Sequence, residues 1–378
     1  MLKQFRSLTT VLSARKVLLE GPASLTIYRL TAAAVFAFCF LVSSLQYFGD
    51  PIQCVQDGKD EDAAINEHVM NSFCFISSTY TVSEDRLGLE CNSYFASPGV
   101  GPDRADGIVT KHSYYVWIPF VLFFQALAFL TPQCFWSYYE DGLIGKLLGG
   151  ISGRMETKAE EVAKVSDYFR KRLGSHWFFA AAWILCDLLG FAIILFNFFL
   201  TDVLLGNRFQ SYGLQVAAFL SAESNRCLSP LDDVFPKVTK CSFYKFGAGG
   251  SLQNFDSMCV LPLNVVNEKI YTILWFWFLI LAPISFLWLS IKIGTVACLN
   301  CLPEKILKGI LARSWVQLMI GIPAVLSPTR LPKLTSTFTP SDWIFFSHLV
   351  APMTPTTYKI FEDCLGGHIR KNSHAVQV

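Results

Sequence analysis

"YYVWIPFVLFFQALAFLTPQCFW", Tyr114 to Trp136, is apolar almost from end to end, yet it holds two prolines, Pro119 and Pro132, and opens on Tyr-Tyr-x-Trp. In water such a stretch is a poor helix, because an interior proline removes a backbone donor and clashes with the turn before it. In a bilayer it makes sense. Neighbouring helices re-satisfy the backbone groups that proline frees, and Tyr and Trp favour the headgroup layer. The stretch reads as a membrane span, kinked at Pro119 and Pro132, with Ser113, Tyr114 and Tyr115 within reach of water at its outer end.

The rest of the chain agrees. Of 378 residues, 52% are hydrophobic and only 16% charged, with a mean hydropathy of +0.40; a soluble chain carries about 25% charged residues. The runs Ile27–Phe48, Ser113–Trp136, Trp177–Leu205 and Ile270–Cys298 each reach the length of about 20 apolar residues that crosses hydrocarbon. The expected fold is all-α, with four transmembrane helices and some strand in the loops. Residues 1–26, with Lys3, Arg6, Arg15 and Lys16, precede a first run too long for the apolar core of a signal peptide. That run is read as a retained span.

Charge orients the chain. Residues 49–112 carry four basic residues against eleven acids, whereas residues 137–176 carry seven basic ones, including Arg170-Lys171-Arg172. Positive residues near span ends stay in the cytoplasm. Both termini and the 137–176 loop are therefore expected inside, and residues 49–112 and 206–269 outside. Cysteine usage points the same way, since bridges persist in oxidising compartments. Six of the twelve cysteines lie in the two outer loops: Cys54, Cys74 and Cys91, then Cys227, Cys241 and Cys259. Three per loop means that full pairing requires at least one bridge between the loops. Six cysteines allow 15 connectivities, and the residues alone choose none.

Other features carry paired readings. Asp187 lies about ten residues into the third span, where an ionisable group is a functional candidate. It lines a pore, pairs across a subunit interface, or sits protonated beside a hydroxyl. Lys292 is expected to snorkel to the cytoplasmic headgroups. Asp57–Asp62, "DGKDED", lacks the ligand spacing of an EF-hand and reads as a solvated charge run. Cys298-x-x-Cys301 has no partner pair for zinc and reads as thiols, free or lipid-modified. No cofactor or metal is called for, and nothing points to nucleic acid. In the tail, Thr339-Pro340-Ser341-Asp342 makes a capped helix start, Thr354-Pro355 a second, and Gly366-Gly367 a stop. Trp315–Ser327 is too short to span. Residues 299–378 are expected to form a cytoplasmic helical subdomain packed on the 137–176 loop.

Taken together, these features resemble the innexins, the gap-junction proteins of invertebrates. The resemblance rests on "YYVWIPF" at the second span, "GDPIQC" (Gly49–Cys54), "NEKIYTILWFWFL" (Asn267–Leu279) and "SDWIFFSHLVAPMTPTTYKIFEDCL" (Ser341–Leu365). Val116 stands where the family usually has glutamine, and each outer loop has a third cysteine where two are the norm. The resemblance implies a ring of subunits, eightfold in the family, homo- or hetero-oligomeric, around a wide pore in the plasma membrane, docking through its outer loops with an opposing hemichannel at a gap junction. It implies the bridges Cys54–Cys259 and Cys74–Cys241, and Cys91–Cys227 is added on position alone. The segment Met1, Leu2, Lys3, Gln4, Phe5, Arg6 opens an amphipathic helix. By itself that reads as an interfacial anchor; the resemblance makes it a funnel in the cytoplasmic mouth of the pore.

Two other classes stand beside this reading. A pannexin-type channel shares the architecture but opens to the outside without docking. A tetraspanin-like scaffold has four spans, but its signature Cys-Cys-Gly is missing from this chain and its inner loop is only a few residues long. An intramembrane enzyme would need a reacting constellation such as HExxH or GxSxG; the sequence contains neither, and the chain is read as non-enzymatic.

Overall fold

The computed structural model describes residues 22–55, 66–83, 100, 108–148, 159–221, 230–301, 338–350, 353–354 and 356–365. Four long helices dominate: α1 (Pro22–Phe48), α3 (Ile118–Leu148), α5 (Trp177–Leu204) and α8 (Pro262–Cys301). Each contains a segment long and apolar enough to cross a membrane. At 31 and 40 residues, α3 and α8 exceed the about 20 residues that hydrocarbon requires.

Helix starts differ from the apolar runs for local reasons. A 3-10 turn, Tyr114–Val116, precedes α3, which begins at Ile118. Pro119 therefore falls in the first turn, where its missing N–H costs nothing; it starts the helix and does not kink it. Pro132 lies inside α3 and does interrupt the ladder. Pro283 does the same inside α8, within "LILAPISF", which the sequence reading passed over. Helix α8 begins at Pro262, well before Ile270, because the polar stretch between them is helical too. Asn264, Asn267 and Glu268 are buried there, and the Asn264 side chain donates to the Pro236 carbonyl at 2.8 Å.

The chain divides into two compact units. The first, Leu30–Phe129 with Ala192–Pro283, contains both disulfides and is called here the bridged unit. Its sheet has the strand order β1-β5-β4-β2-β3, from β1 (Gln53–Val55), β2 (Thr79–Ser83), β3 (Ile108–His112), β4 (Val238–Phe246) and β5 (Leu252–Val260). All pairings are antiparallel. Helix α2 (Glu67–Ser77) is capped by Asn66, whose side chain accepts from the His68 N–H. Met70 and Cys74, one turn apart, form its buried face. The unit also holds α6 (Phe209–Ser221) and the short α7 (Pro230–Val234).

The second, terminal unit comprises Met1–Arg29, Leu130–Phe191 and Ile284–Val378. Its core joins Trp136, Ile144 and Leu148 of α3, Val162, Val165 and Phe169 of α4 (Ala159–Lys171), Phe179 and Trp183 of α5, and the tail. Helix α9 (Pro340–Val350) is buried from Asp342 to Val350, and a last helix follows at 356–365. The expected capping box forms. Thr339 N–H donates to Asp342 Oδ2 at 3.1 Å, and the Asp342 N–H to Thr339 Oγ1 at 3.4 Å. Thr354 Oγ1 likewise accepts from the Thr357 N–H at 3.3 Å.

Within this unit α1 meets α5 where a glycine permits it: a Cβ on Gly190 would overlap the Tyr28 ring. Gly190→Leu is expected to cost about 1–3 kcal/mol through overpacking, read as a lower unfolding midpoint of the detergent-purified protein. An unchanged midpoint would show that the contact does not hold these helices.

Candidate channel site: bridged loops and charged spans

The bridged unit answers the question raised by Tyr-Tyr-x-Trp. Cys54 faces Cys259 directly across β1 and β5, and the two are bonded. Cys74, on α2, is bonded to Cys241 on β4. The two cystines lie side by side, with the sulfurs of Cys54, Cys74 and Cys259 within 4.8 Å of one another. Ile52, Met70, Leu261 and Tyr115 close around them. Tyr115 is fully buried, and its hydroxyl donates to the Cys74 carbonyl at 3.4 Å. Tyr114 packs edge-on to Phe235 and His112. The expectation that both tyrosines face water is therefore corrected: a ring next to two cystines is worth more buried, by about 1.5–3 kcal/mol for a large apolar side chain. Trp117, by contrast, is 60% exposed. Val116, at the position of the family glutamine, packs on the same core.

One more link fixes the first loop: the Cys54 N–H donates to the Asn71 side chain at 2.8 Å. In the same unit, His112 shares a 2.8 Å hydrogen bond with Thr81. Burial, then the nearby Arg208 charge, lowers its pKa to about 4 against the opposing pull of Asp233.

The spans are tied by polar contacts. In the bridged unit Gln125 donates to Thr201 at 2.9 Å, Trp277 to Thr31 at 3.0 Å, and the Cys39 thiol to the Pro119 carbonyl at 3.3 Å. In the terminal unit Arg29 donates to Gln133 at 3.0 Å, and the Cys186 thiol to the Pro132 carbonyl at 3.2 Å. A buried ion pair joins Asp187 of α5 to Lys292 of α8. Both residues are buried, at 4% and 8% exposure, and the Lys292 ammonium also lies 4.0 Å from the centre of the Trp183 ring. Lys292 therefore does not snorkel, and Asp187 is paired within its own chain. Opposite charges on the inner halves of successive apolar runs, Asp187 ten residues from Trp177 and Lys292 six residues from Cys298, were the signal in the sequence; pairing across spans spares each a far larger desolvation cost.

The tail is anchored by a second buried carboxylate. Asp342 accepts from His176 Nδ1 at 2.7 Å and from the Gly174 N–H at 2.9 Å, and His176 stacks on Phe345 at 4.1 Å. Burial pushes the Asp342 pKa up, but hydrogen bonds from His176, Thr339 and Gly174 outweigh it and hold the carboxyl below its usual value. His348 lies among Trp136, Phe179 and Trp183. Burial lowers its pKa to about 4, opposed by its hydrogen bond to the Ile344 carbonyl and aided by the Lys292 charge.

A pH prediction follows from the two depressed histidines. The unfolded chain takes up these protons near pH 6.5 and the folded chain only near pH 4. Stability is thus complete above about pH 6.5 and is lost as the pH falls toward 4, by about 3 kcal/mol per histidine. Asp342 adds a loss only below the ordinary carboxyl range. The unfolding midpoint should fall between pH 7 and pH 4.5, and less steeply for His112→Gln. A flat profile would contradict the burial of neutral imidazoles.

Several expected site residues lie outside the described residues: Met1, Leu2, Lys3, Gln4, Phe5 and Arg6, the acidic run Asp57–Asp62, the pair Cys91 and Cys227, Trp315–Ser327 and Gly366-Gly367. Cys298 and Cys301 fall on the last turn of α8.

Four membrane-length helices, a sheet tied by two buried cystines and a helical cluster around the tail define a four-span membrane protein with a bridged loop domain. The innexin family model matches residues 24–366. The chain is 40% identical to innexin inx3 of Drosophila melanogaster over 262 residues, which cover 68% of this chain and 65% of that protein's length. It is 38% identical to innexin inx2 of the same fly over 297 residues, covering 78% and 79%. It is 34% identical to innexin shaking-B of the same fly over 297 residues, covering 78% of each. The chain belongs to the innexin family, whose members form gap-junction channels.

Proposed function

We propose that the chain is a subunit of a large-pore gap-junction channel that passes ions and small molecules between adjacent cells. Subunits form a ring, eightfold as the family implies and homo- or heteromeric. Two rings dock through the loops of the bridged unit, in the plasma membranes of two cells. The first span and Met1–Arg6 line the pore, with Lys3 and Arg6 at its inner mouth. Both termini are cytoplasmic. The cystines support this orientation, since they persist in an oxidising compartment, as do the seven Lys and Arg residues of 137–176.

The observation that carries the docking reading is the β4–β5 hairpin. Its base is fixed by Cys241 and Cys259. Its pairing with β2 ends at Tyr80–Lys240 and with β1 at Val55–Met258. Among the described residues, the outer part thus has free strand edges, and it exposes Tyr244, Phe246 and Leu252. Free edges and exposed apolar side chains are a template for pairing with another chain. The absence of any Asn-x-Ser/Thr sequon leaves this face open to a partner.

The first loop's seven-charge acidic excess, repeated around a ring, concentrates cations at the outer mouth. A mild cation preference is expected, weakening at high salt as screening shortens to within about 8 Å. Reversal potentials that favour anions would exclude it. Docking itself is tested by expressing the chain in both cells of a communication-deficient pair. Dye uptake by single cells without transfer between the pair would favour the undocked, pannexin-type reading.

A further inference from the structure

A cleft of about 440 Å3 opens on the sheet of the bridged unit, a volume within the range of small-molecule sites. Strand register explains its lining. Tyr80 pairs with Lys111, and Val82 with Val109, across β2 and β3, so all four share one face. Tyr244 pairs with Asn254 across β4 and β5. Ser77 and Ser78, at the end of α2, complete the polar part of the wall.

Three features distinguish this cleft from an ordinary surface hollow. Among the described residues that line it, Lys111 alone is charged, although the first loop carries an acidic excess. Asp256, two residues beyond Asn254 on the same face, is held by Lys240 at 3.1 Å and by the Tyr80 hydroxyl at 3.4 Å. The wall also has unused polar groups: among the described residues, the side chains of Lys111, Ser77, Ser78 and Asn254 make no hydrogen bond or ion pair. Finally, Ser78 has φ +87° and ψ 144°, backbone space that glycine fills without strain. Strain of this kind is kept at ligand sites, and here it puts a hydroxyl-bearing residue on the cleft wall.

We propose that the cleft binds an acidic sugar, a ring with one carboxylate and several hydroxyls, of the kind carried on cell-surface glycans. Lys111 meets the carboxylate as a point charge. Ser77, Ser78 and Asn254 bond the hydroxyls, and Tyr80 and Tyr244 offer flat faces to the ring's C–H groups. An aromatic acid of the same charge would leave the serine and asparagine groups desolvated without partners, which costs binding. Tyr244 and Asn254 belong to the β4–β5 hairpin, so a bound sugar occupies part of the docking face and competes with docking. That consequence rests on the channel reading above; the binding does not.

The test is saturation-transfer NMR on the full chain in phosphatidylcholine nanodiscs, with glucuronate as probe and glucose and benzoate as controls. The expected result is transfer to the glucuronate ring protons, several-fold weaker for either control. Lys111→Gln should reduce it several-fold by removing the charge, and Val109→Trp by filling the cleft. Non-reducing peptide mapping confirms that both cystines form in each variant. No transfer to glucuronate would overturn the proposal, and so would transfer that both variants leave unchanged. Benzoate binding as well as glucuronate would overturn the assignment to a sugar. In coupled cell pairs, saturating glucuronate should lower junctional conductance without lowering dye uptake by single cells; unchanged conductance would overturn the competition. The NMR readout needs no current, so glucuronate binding by a protein that fails to couple cells would count against the channel reading and not against the site.

Discussion

Cys241→Ala is expected to abolish coupling and to remove most of the protein from the cell surface. The bridge from Cys74 to Cys241 joins positions 167 residues apart, and closing so long a loop stabilises by about 2–5 kcal/mol. The membrane spans already restrain the unfolded chain, which pulls the figure toward the lower end. The local loss is the larger part of the effect. Cys74 anchors α2 to the sheet, and Met70, Tyr115 and the second cystine pack around it. Without the bridge, α2 and the base of the β4–β5 hairpin lose their common fixture, so the docking face loses its shape even where the chain still inserts. Cys54→Ala and Cys259→Ala should act alike. Losing Cys91 and Cys227 together should cost less, since no bridge of the described core depends on them. Surface biotinylation with non-reducing peptide mapping reads both effects. Normal surface levels and coupling in Cys241→Ala would show that the cystine is dispensable.

The second large effect is expected in the spans. Lys292→Leu leaves Asp187 buried without its partner, and breaking one side of a buried ion pair costs about 3–5 kcal/mol. The Trp183 contact is lost with it. Removing both charges, with Asp187→Leu and Lys292→Leu in one chain, should cost markedly less than the sum of the single changes, because no buried charge is left over. Unfolding midpoints of the purified protein test the cycle. Additive losses would mean that the two residues do not hold each other.

How far the sequence could be read depended on the physics of each feature. The spans were legible because lipid demands long apolar runs, and the tail helix because Thr339 and Asp342 announce its first turn. The two bridges followed only from family resemblance, since cysteine spacing leaves every connectivity open. Pro119 misled, because its effect depends on where the helix starts, and a 3-10 turn at Tyr114–Val116 moved that start. Tyr115 misled for a related reason: belt tyrosines and core tyrosines have the same sequence context, and only the cystines nearby decide between them. Asp187 and Lys292 each read differently alone, because a pair shows only when the inner halves of neighbouring spans are compared. The sheet order, with β1 beside β5 and β2 beside β4, is a long-range pairing that no local pattern encodes.

The central claim is that this chain builds a conduit between two cells, and dual voltage-clamp recording from a pair of communication-deficient cells tests it most directly. With the chain expressed in both cells, a junctional conductance should appear that is absent from mock pairs and is abolished when either cell carries Cys241→Ala. Surface-localised protein in both cells with no junctional current would contradict the claim.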